Sequence, residues 1–152
     1  METRVIAKKP KAKTVLIIED EVDIRNFASR VLELEGYQVL KASDGTRGME
    51  IIRENSVALV LLDLRLPGRD GWSVLREIRR DTELLKIPVI VITAVADTTV
   101  KRKTLQMGAT KYLLKPMSAH SLAKSIASIL QSSGKSYDTT ERSAVSYHLR
   151  RA

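Results

Sequence analysis

Cysteine is absent from the 152-residue sequence, and aromatic residues make up only 4% of it. Without cysteine the chain can form neither disulfides nor thiolate metal sites, which fits a reducing compartment. The shortage of aromatic side chains leaves few platforms on which nucleic-acid bases could stack. No apolar run is long enough to span a membrane, and the basic N-terminus lacks the apolar segment of a secretory signal. We therefore expect a cytoplasmic protein with no membrane span and no specific nucleic-acid partner.

Positive charge is concentrated at the two ends of the chain. The formal net charge is +8, but residues 1–13 hold five basic residues and one acid, and residues 134–152 hold four basic and two acidic residues. The part between them is close to charge balance, so it has no large basic bias. We expect a basic disordered arm over residues 1–13 and one domain over residues 14–132. A Ser/Thr-rich basic tail over residues 133–152 could include a short helix.

Five short apolar runs alternate with helical patterns along the domain. Strands are predicted at residues 14–19, 37–42, 58–63, 88–93 and 110–115. The first, third and fourth runs are almost continuously apolar, as strands covered on both faces should be, whereas polar residues mark the second and fifth as edge strands. Five strand–helix units in series predict an α/β fold, in which a doubly wound parallel sheet carries helices on both faces.

The helical patterns between the strands carry caps and apolar stripes. One face of the first helix is predicted to consist of five residues: Ile24, Phe27, Ala28, Val31 and Leu32. Asp44, Asp70 and Ser118 are predicted to cap the second, third and fifth helices, because their side chains can accept from the free N–H groups of a helix start. The fourth helix, near residues 98–107, has the weakest pattern, and we interpret its three consecutive basic residues as a solvated face.

Polar side chains stand at the carboxyl ends of four of the five predicted strands. Glu19 and Asp20 end the first strand, Asp63 the third, Thr93 the fourth and Lys115 the fifth. Sites in parallel sheets lie beyond these strand ends, so three acids, a hydroxyl and an amine are expected to converge at one edge. Burial of an isolated carboxylate is costly, and this convergence explains how a buried strand can end on Asp63.

The turn after the first strand excludes one common use of this architecture. A dinucleotide site needs a glycine-rich turn there, so that backbone N–H groups can approach phosphate. The sequence instead reads EDEVD over residues 19–23, which repels phosphate unless a cation intervenes. Clustered carboxylates without cysteine or histidine ligands favour a hard ion such as Mg²⁺. A Mg²⁺ ion, a carboxylate nucleophile, a lysine and a hydroxyl together suit phosphoryl transfer.

Four motifs at the strand ends resemble those of a known family. IIEDE, LLDLRLPGRDG, VITA and LLKP stand in the order and spacing found in the receiver domains of two-component response regulators. The resemblance covers roughly residues 14–130. It implies a flavodoxin-like fold with five parallel strands and five helices. It also implies a cis peptide bond between Lys115 and Pro116.

The same resemblance implies roles for the residues at the strand ends. Asp63 would be the phosphoacceptor. The metal ligands would be Asp20, Asp63, the backbone carbonyl of Arg65 and, through water, Glu19. Thr93 would bond to the phosphoryl group after transfer, and Lys115 would form an ion pair with it. Thr93 and Tyr112 would together form the switch that changes conformation when the domain is phosphorylated.

A receiver of this kind would take its phosphoryl group from a histidine kinase or a histidine phosphotransfer protein. It would catalyse only its own phosphorylation and dephosphorylation, so we do not expect an enzyme in the usual sense. It would signal to a downstream protein through the surface of the fourth helix, fifth strand and fifth helix. Because only about twenty residues follow the last predicted helix, we expect a stand-alone receiver. The alternative is a receiver fragment of a longer response regulator or hybrid kinase.

Two rival functions are weaker. A small Mg²⁺-dependent phosphatase of the haloacid dehalogenase type would carry its nucleophile in a D-x-D motif on the first strand, whereas this strand ends in EDE and the third in DLR. The sequence also shows no cap insertion that could hold a substrate. A protein that binds nucleic acid or membrane surfaces through its basic tails would do so without specificity and with strong salt dependence.

Overall fold

The structure is a computed structural model that describes residues 11–131. Most of the predicted basic arm, and the whole of the predicted tail with its short helix, lie outside the described residues. Lys13, the last residue of the predicted arm, donates from Nζ to the carbonyl oxygen of Leu130 over 2.6 Å. This contact ties the chain just before the first strand to the end of the last helix.

Five strands form one parallel sheet. They are β1 (Thr14–Ile18), β2 (Gln38–Ala42), β3 (Leu59–Asp63), β4 (Val89–Thr93) and β5 (Lys111–Leu114). Their order across the sheet is β2-β1-β3-β4-β5, and every neighbouring pair is parallel. The prediction from the apolar runs is confirmed, since β1, β3 and β4 are buried almost throughout and β2 and β5 form the edges.

Within residues 11–131, four helices connect the strands and a fifth follows β5. They are α1 (Val22–Leu34), α2 (Gly45–Glu54), α3 (Gly71–Arg80), α4 (Thr98–Gln106) and α5 (Ala119–Leu130). The three predicted caps are confirmed, because the side chains of Asp44, Asp70 and Ser118 each accept from a backbone N–H of the following turn. Asp97 caps α4 in the same way. Within residues 11–131 no helix combines the length and apolar character needed to cross a membrane.

The helices cover both faces of the sheet and enclose two apolar cores. Alternate residues of β1 enter different cores: Val15 and Ile17 pack with α1 and α5, whereas Leu16 and Ile18 pack with α2 and α3. This alternation follows from the two-residue repeat of a strand. The sheet is therefore doubly wound and flavodoxin-like, with its strand ends free to form a site.

The apolar face predicted for α1 is not buried across its full width. Ala28 and Leu32 are fully buried, whereas Phe27 is 42% exposed. Successive helical residues are rotated by about 100°, so Phe27 lies at the margin of a face centred on Ala28 and Leu32. The apolar face predicted for this helix is therefore buried at Ala28 and Leu32 and exposed at Phe27.

Candidate functional site

The predicted site residues meet at the carboxyl edge of the sheet. Glu19 and Asp20 follow β1, Asp63 and Thr93 are the last residues of β3 and β4, and Lys115 follows β5. Strand β3 is central in the sheet, with β1 on one side and β4 on the other. The structure thus brings all five residues to one edge, with Asp63 at its centre.

Asp63 is a nearly buried carboxylate with two hydrogen-bond donors. Its side chain is 4% exposed. The Oδ2 atom accepts from Nζ of Lys115 over 2.9 Å, and Oδ1 accepts from the backbone N–H of Arg65 over 3.1 Å. These two bonds fix the orientation of the carboxylate at the end of β3.

The loop after β3 closes tightly behind Asp63. The N–H of Gly71, at the start of α3, donates to the carbonyl oxygen of Leu64 over 2.9 Å. A Cβ atom at position 71 would lie 2.2 Å from the carbonyl oxygen of Asp63 and 2.6 Å from Cα of Leu64. Both are backbone atoms that cannot move aside without moving the strand. Glycine therefore permits the close approach of α3 to the end of β3.

Lys115 joins two buried acids at this edge and also lies 3.7 Å from the exposed carboxylate of Glu21. Its Nζ lies 2.9 Å from Oδ2 of Asp63 and 2.5 Å from Oε1 of Glu19, and its side chain is 9% exposed. Burial alone would lower the pKa of Lys115, but the contacts with the two carboxylates outweigh burial and raise the pKa above its ordinary value. The amine therefore stays protonated and supplies a fixed positive charge. The peptide bond from Lys115 to Pro116 is cis, as the family resemblance implied.

Glu19 is fully buried at the end of β1. Burial, reinforced by the neighbouring Asp63 carboxyl, raises the pKa of Glu19 to about 8 against the opposing effect of Lys115. Its Oε1 lies 2.5 Å from Nζ of Lys115 and has no other polar partner within the described residues. This buried oxygen is left with unused acceptor capacity.

Three carboxylates at this edge could hold a metal ion. The ligand oxygen atoms of Glu19, Asp20 and Asp63 all lie within 4.8 Å of one another, with Asp20 exposed and the other two buried. The set offers only oxygen donors, one of which, Oε1 of Glu19, has Lys115 as its only partner within the described residues. Hard oxygen donors fit Mg²⁺ better than Zn²⁺. The residues present therefore fit the ion that the family resemblance implies.

The two predicted switch residues are linked through the loop after β4. Thr93 is fully buried, and its Oγ1 accepts from the N–H of Val95 over 3.3 Å. The Tyr112 hydroxyl, on β5, donates to the carbonyl oxygen of the same Val95. Burial, with a smaller contribution from Asp97, raises the pKa of Tyr112, so the hydroxyl keeps its proton and remains a donor. The backbone of Val95 therefore connects Thr93 to Tyr112.

Arg25 is a residue next to the site that the sequence interpretation missed. Its Nη1 donates to the carbonyl oxygen of Glu19 over 2.8 Å and to that of Asp20 over 3.2 Å. The only sequence signal was its place near the start of α1, a few residues after the acidic turn. Backbone acceptors leave no pattern in a sequence, so this contact could be found only in the structure.

A shallow pocket opens beside Lys115. Its apolar lining includes Phe27, Pro116 and Met117, and the acids Glu21 and Asp23 also line it. The exposed side chain of Phe27 thus borders the site and does not serve the core. The periodicity of α1 could not show that Phe27 lines a pocket, because an apolar residue at this position also fits a buried face.

Family comparison identifies the class of protein that this fold and site define. The sequence model of the family described as "Response regulator receiver domain" matches residues 15–127, about three quarters of the chain. The chain belongs to this family. The predicted family and the predicted fold are therefore confirmed.

Individual relatives agree with this family. The chain is 35% identical over 117 residues to "Probable transcriptional regulator ycf27" of Porphyridium aerugineum, covering 77% of the chain and 48% of the relative. It is 34% identical over 122 residues to "Phosphate regulon transcriptional regulatory protein PhoB" of Pseudomonas aeruginosa, covering 80% of the chain and 53% of the relative. The chain spans about half the length of these curated relatives.

A solved structure shows the same fold. The response regulator receiver domain protein from Clostridium thermocellum matches with a TM-score of 0.71 at 33% identity, covering 78% of this chain and 94% of that one. Neither the relatives nor this structure assigns a role to a residue of the present chain. The roles of Asp63, Lys115, Thr93, Tyr112 and the acidic residues therefore stay predictions.

Proposed function

We propose that the domain accepts a phosphoryl group on Asp63 in a Mg²⁺-dependent reaction. The observation that carries this proposal is the surroundings of Asp63: its carboxylate contacts the Lys115 ammonium at 2.9 Å and belongs to a cluster of ligand atoms with Glu19 and Asp20. The amine and a metal ion at the cluster would both bring positive charge to a phosphoryl group on Asp63. Such charge is the main requirement for phosphoryl transfer.

The reaction would be an in-line displacement at phosphorus. A carboxylate oxygen of Asp63 forms the new P–O bond while the P–N bond of a phosphohistidine breaks, and the imidazole leaves with the electron pair. Mg²⁺, when bound, neutralises charge on the phosphoryl oxygens. Lys115 orients the carboxylate before transfer and pairs with the phosphoryl group afterwards, because its protonated amine is held at the same edge.

Thr93 and Tyr112 would convert phosphorylation into a change of surface. A phosphoryl group on Asp63 offers new acceptors to the hydroxyl of Thr93 on the neighbouring strand. If Thr93 turns towards them, its bond with the N–H of Val95 breaks, and the same Val95 holds the Tyr112 hydroxyl. The shift would alter the surface of α4, β5 and α5, through which a downstream protein would bind.

The pocket beside Lys115 supports a protein as the phosphoryl donor. Phe27 is 42% exposed and lines this pocket together with Pro116. Exposed apolar side chains next to a nucleophile suit the docking of a histidine kinase or a histidine phosphotransfer protein. The domain would then act in the cytoplasm as a phosphoacceptor that catalyses only its own phosphorylation and dephosphorylation.

The relatives favour a longer protein over a stand-alone receiver. Both relatives are named as transcriptional regulators and are about twice the length of the matched segment. This supports the alternative that the domain is the receiver part of a longer regulator. An immunoblot of the source cells with an antibody against the domain would decide between a band near 17.0 kDa and one of about one and a half times that mass or more.

Intact-mass spectrometry after incubation with acetyl phosphate and MgCl₂ tests the phosphoacceptor. The wild type should gain one phosphoryl group, and Asp63→Asn should gain none. Asp44→Asn is a matched control, because Asn is also a good cap and Asp44 lies at the start of α2. An equal adduct on Asp63→Asn would contradict the proposal, and so would a wild-type adduct that is unaffected by EDTA.

A further inference from the structure

Arg25 holds the acidic turn between β1 and α1 from the helix side. Its Nη1 donates to the carbonyl oxygen of Glu19 over 2.8 Å and to that of Asp20 over 3.2 Å. The carboxylates of these two residues form the candidate metal centre together with Asp63. One guanidinium therefore restrains the backbone of two successive candidate ligand residues.

Other restraints on this turn are few. Glu21 is the N-cap of α1, but its side chain makes no capping hydrogen bond, and its exposed carboxylate lies a long 3.7 Å from Nζ of Lys115. The N–H of Glu21 reaches Oε2 of Glu19 only over a long 3.4 Å. The N–H of Glu19 donates to the carbonyl oxygen of Ala42 over 3.0 Å, which anchors the turn on its strand side. Arg25 supplies the corresponding restraint on its helix side.

The carboxylate of Asp20 depends on this restraint more than the other two carboxylates do. Lys115 forms ion pairs with Glu19 and Asp63, but within residues 11–131 no ion pair holds Asp20. The three carboxylates repel one another at these distances when they are ionised. The position of the Asp20 side chain therefore follows from the position of its backbone.

We propose that Arg25 is a positioning residue for the Mg²⁺ site, which keeps the carboxylates of Glu19 and Asp20 at ligand distance before the ion binds. This inference rests on the Mg²⁺ site of the proposed function. It predicts that loss of Arg25 changes the Mg²⁺ affinity in the direction opposite to the one expected from the charge of Arg25 alone. Removal of a positive charge near carboxylates should tighten the binding of a cation, whereas removal of a positioning contact should weaken it.

Calorimetric titration with MgCl₂ as the only ligand measures this effect. For Arg25→Met we expect the Mg²⁺ affinity to fall about tenfold or more, as is typical when a contact that orients a metal ligand is lost. The Mg²⁺ affinity of Arg25→Lys should lie between those of the wild type and Arg25→Met, because an ammonium keeps the charge but lacks the planar fork of donors. Arg30→Met is the matched control, because it removes an exposed arginine from the same helix. Its Mg²⁺ affinity should stay within about twofold of that of the wild type.

A second measurement separates positioning from a general loss of structure. The rate of phosphorylation by acetyl phosphate is followed against MgCl₂ concentration, below the thermal midpoint of each variant. A positioning role should raise the half-saturating MgCl₂ concentration of Arg25→Met and leave its rate at saturation close to that of the wild type. A saturating rate that falls while the half-saturating concentration stays unchanged would overturn the inference.

The remaining outcomes distinguish this inference from the proposed function. Mg²⁺ binding by Arg25→Met that is as tight as in the wild type, or tighter, would overturn the inference. A wild type that binds Mg²⁺ but gains no phosphoryl group would contradict the proposed function alone, since the calorimetric comparison would still stand. A wild type that binds no Mg²⁺ would overturn both.

Discussion

Nζ of Lys115 lies 2.9 Å from Oδ2 of Asp63, although the two residues are 52 positions apart in the chain. Strand β4 lies between β3 and β5 in the sheet, so the lysine reaches across the end of a whole strand. The same Nζ lies 2.5 Å from Oε1 of Glu19, which follows β1. One amine therefore links the ends of three strands and contacts two buried acids.

Lys115→Met should destabilise the domain most strongly when Mg²⁺ is absent. The change leaves the buried Glu19 and Asp63 side chains without a cation, and breaking such a buried pair costs about 3 kcal/mol. Mg²⁺ should restore part of the missing charge, so the loss of thermal midpoint should be smaller in MgCl₂ than in EDTA. Lys124→Met, which alters an exposed lysine of α5, should change little in either buffer. An equal loss in both buffers would show that Lys115 acts through packing and not through charge.

Simple sequence rules predicted which side chains lie together, because parallel strands all end at the same edge of the sheet. An apolar run that stops on a polar residue was enough to place Asp63, Thr93 and Lys115 together. The order of the strands was not needed, since every candidate lay at a carboxyl end. The same rule explains why the fold could be predicted from alternating strand and helix patterns.

Contacts between helices, or between a side chain and the backbone, could not be predicted in this way. Lys103 was interpreted as part of a solvated face, yet its Nζ lies 4.9 Å from the ring centre of Trp72. That contact joins side chains of α3 and α4, so it depends on how the two helices are placed on the sheet and not on the pattern of either helix alone. Arg25 was missed because its acceptors are carbonyl groups, which every residue has.

Gly71→Ala should damage both stability and phosphorylation. The new Cβ would lie 2.2 Å from the carbonyl oxygen of Asp63, so the end of β3 or the start of α3 must shift. We expect a loss of about 2 kcal/mol or more in the free energy of unfolding, and a slower reaction because the phosphoacceptor moves with its strand. Urea denaturation and the rate of phosphorylation by acetyl phosphate measure the two effects.

Gly68→Asn is the matched control in the same loop. Gly68 has a φ of +71°, and nothing lies within 4 Å of a Cβ atom there. Asn tolerates this left-handed conformation better than most residues, so the variant should lose little stability. If Gly71→Ala proved as stable and as reactive as Gly68→Asn, the close approach of α3 to Asp63 would not constrain the site.

Arg79→Met should destabilise the domain without altering the site directly. Arg79 donates from Nε to the carbonyl oxygen of Gly108 over 2.8 Å, and from Nη1 to those of Leu85 and Ile87 over 3.0 and 2.8 Å. Loss of three such bonds should cost about 2 kcal/mol in urea denaturation. Arg79→Lys should recover little of this, because an ammonium cannot match the guanidinium fork. Arg80→Met, at the next and exposed position, should change stability only slightly, and a similar loss in both variants would contradict the role of these bonds.

Asp81 should give the stability of the domain a measurable dependence on acid pH. Its Oδ2 accepts from Nη1 of Arg53 over 2.6 Å, and its Oδ1 accepts from the N–H of Glu83 over 2.8 Å. The Arg53 guanidinium, with help from that N–H, lowers the pKa of Asp81 below its ordinary value of 3.8. A carboxylate whose pKa is lower in the folded than in the unfolded state stabilises the fold above the unfolded pKa. That contribution is lost as the pH falls through the folded pKa.

Asp81→Asn tests this dependence by urea denaturation between pH 7 and pH 3. The variant should be modestly less stable than the wild type at pH 7, because the pair with Arg53 is partly exposed and solvent weakens it. The difference in the free energy of unfolding between wild type and variant should begin to decrease near pH 4. It should go on decreasing as Asp81 of the wild type gains its proton. In an Arg53→Met background the same substitution should cost less at pH 7, since the main cause of the low pKa is already gone. A difference that stays constant from pH 7 to pH 3 would show that the loss at position 81 comes from the packing of the side chain and not from its charge.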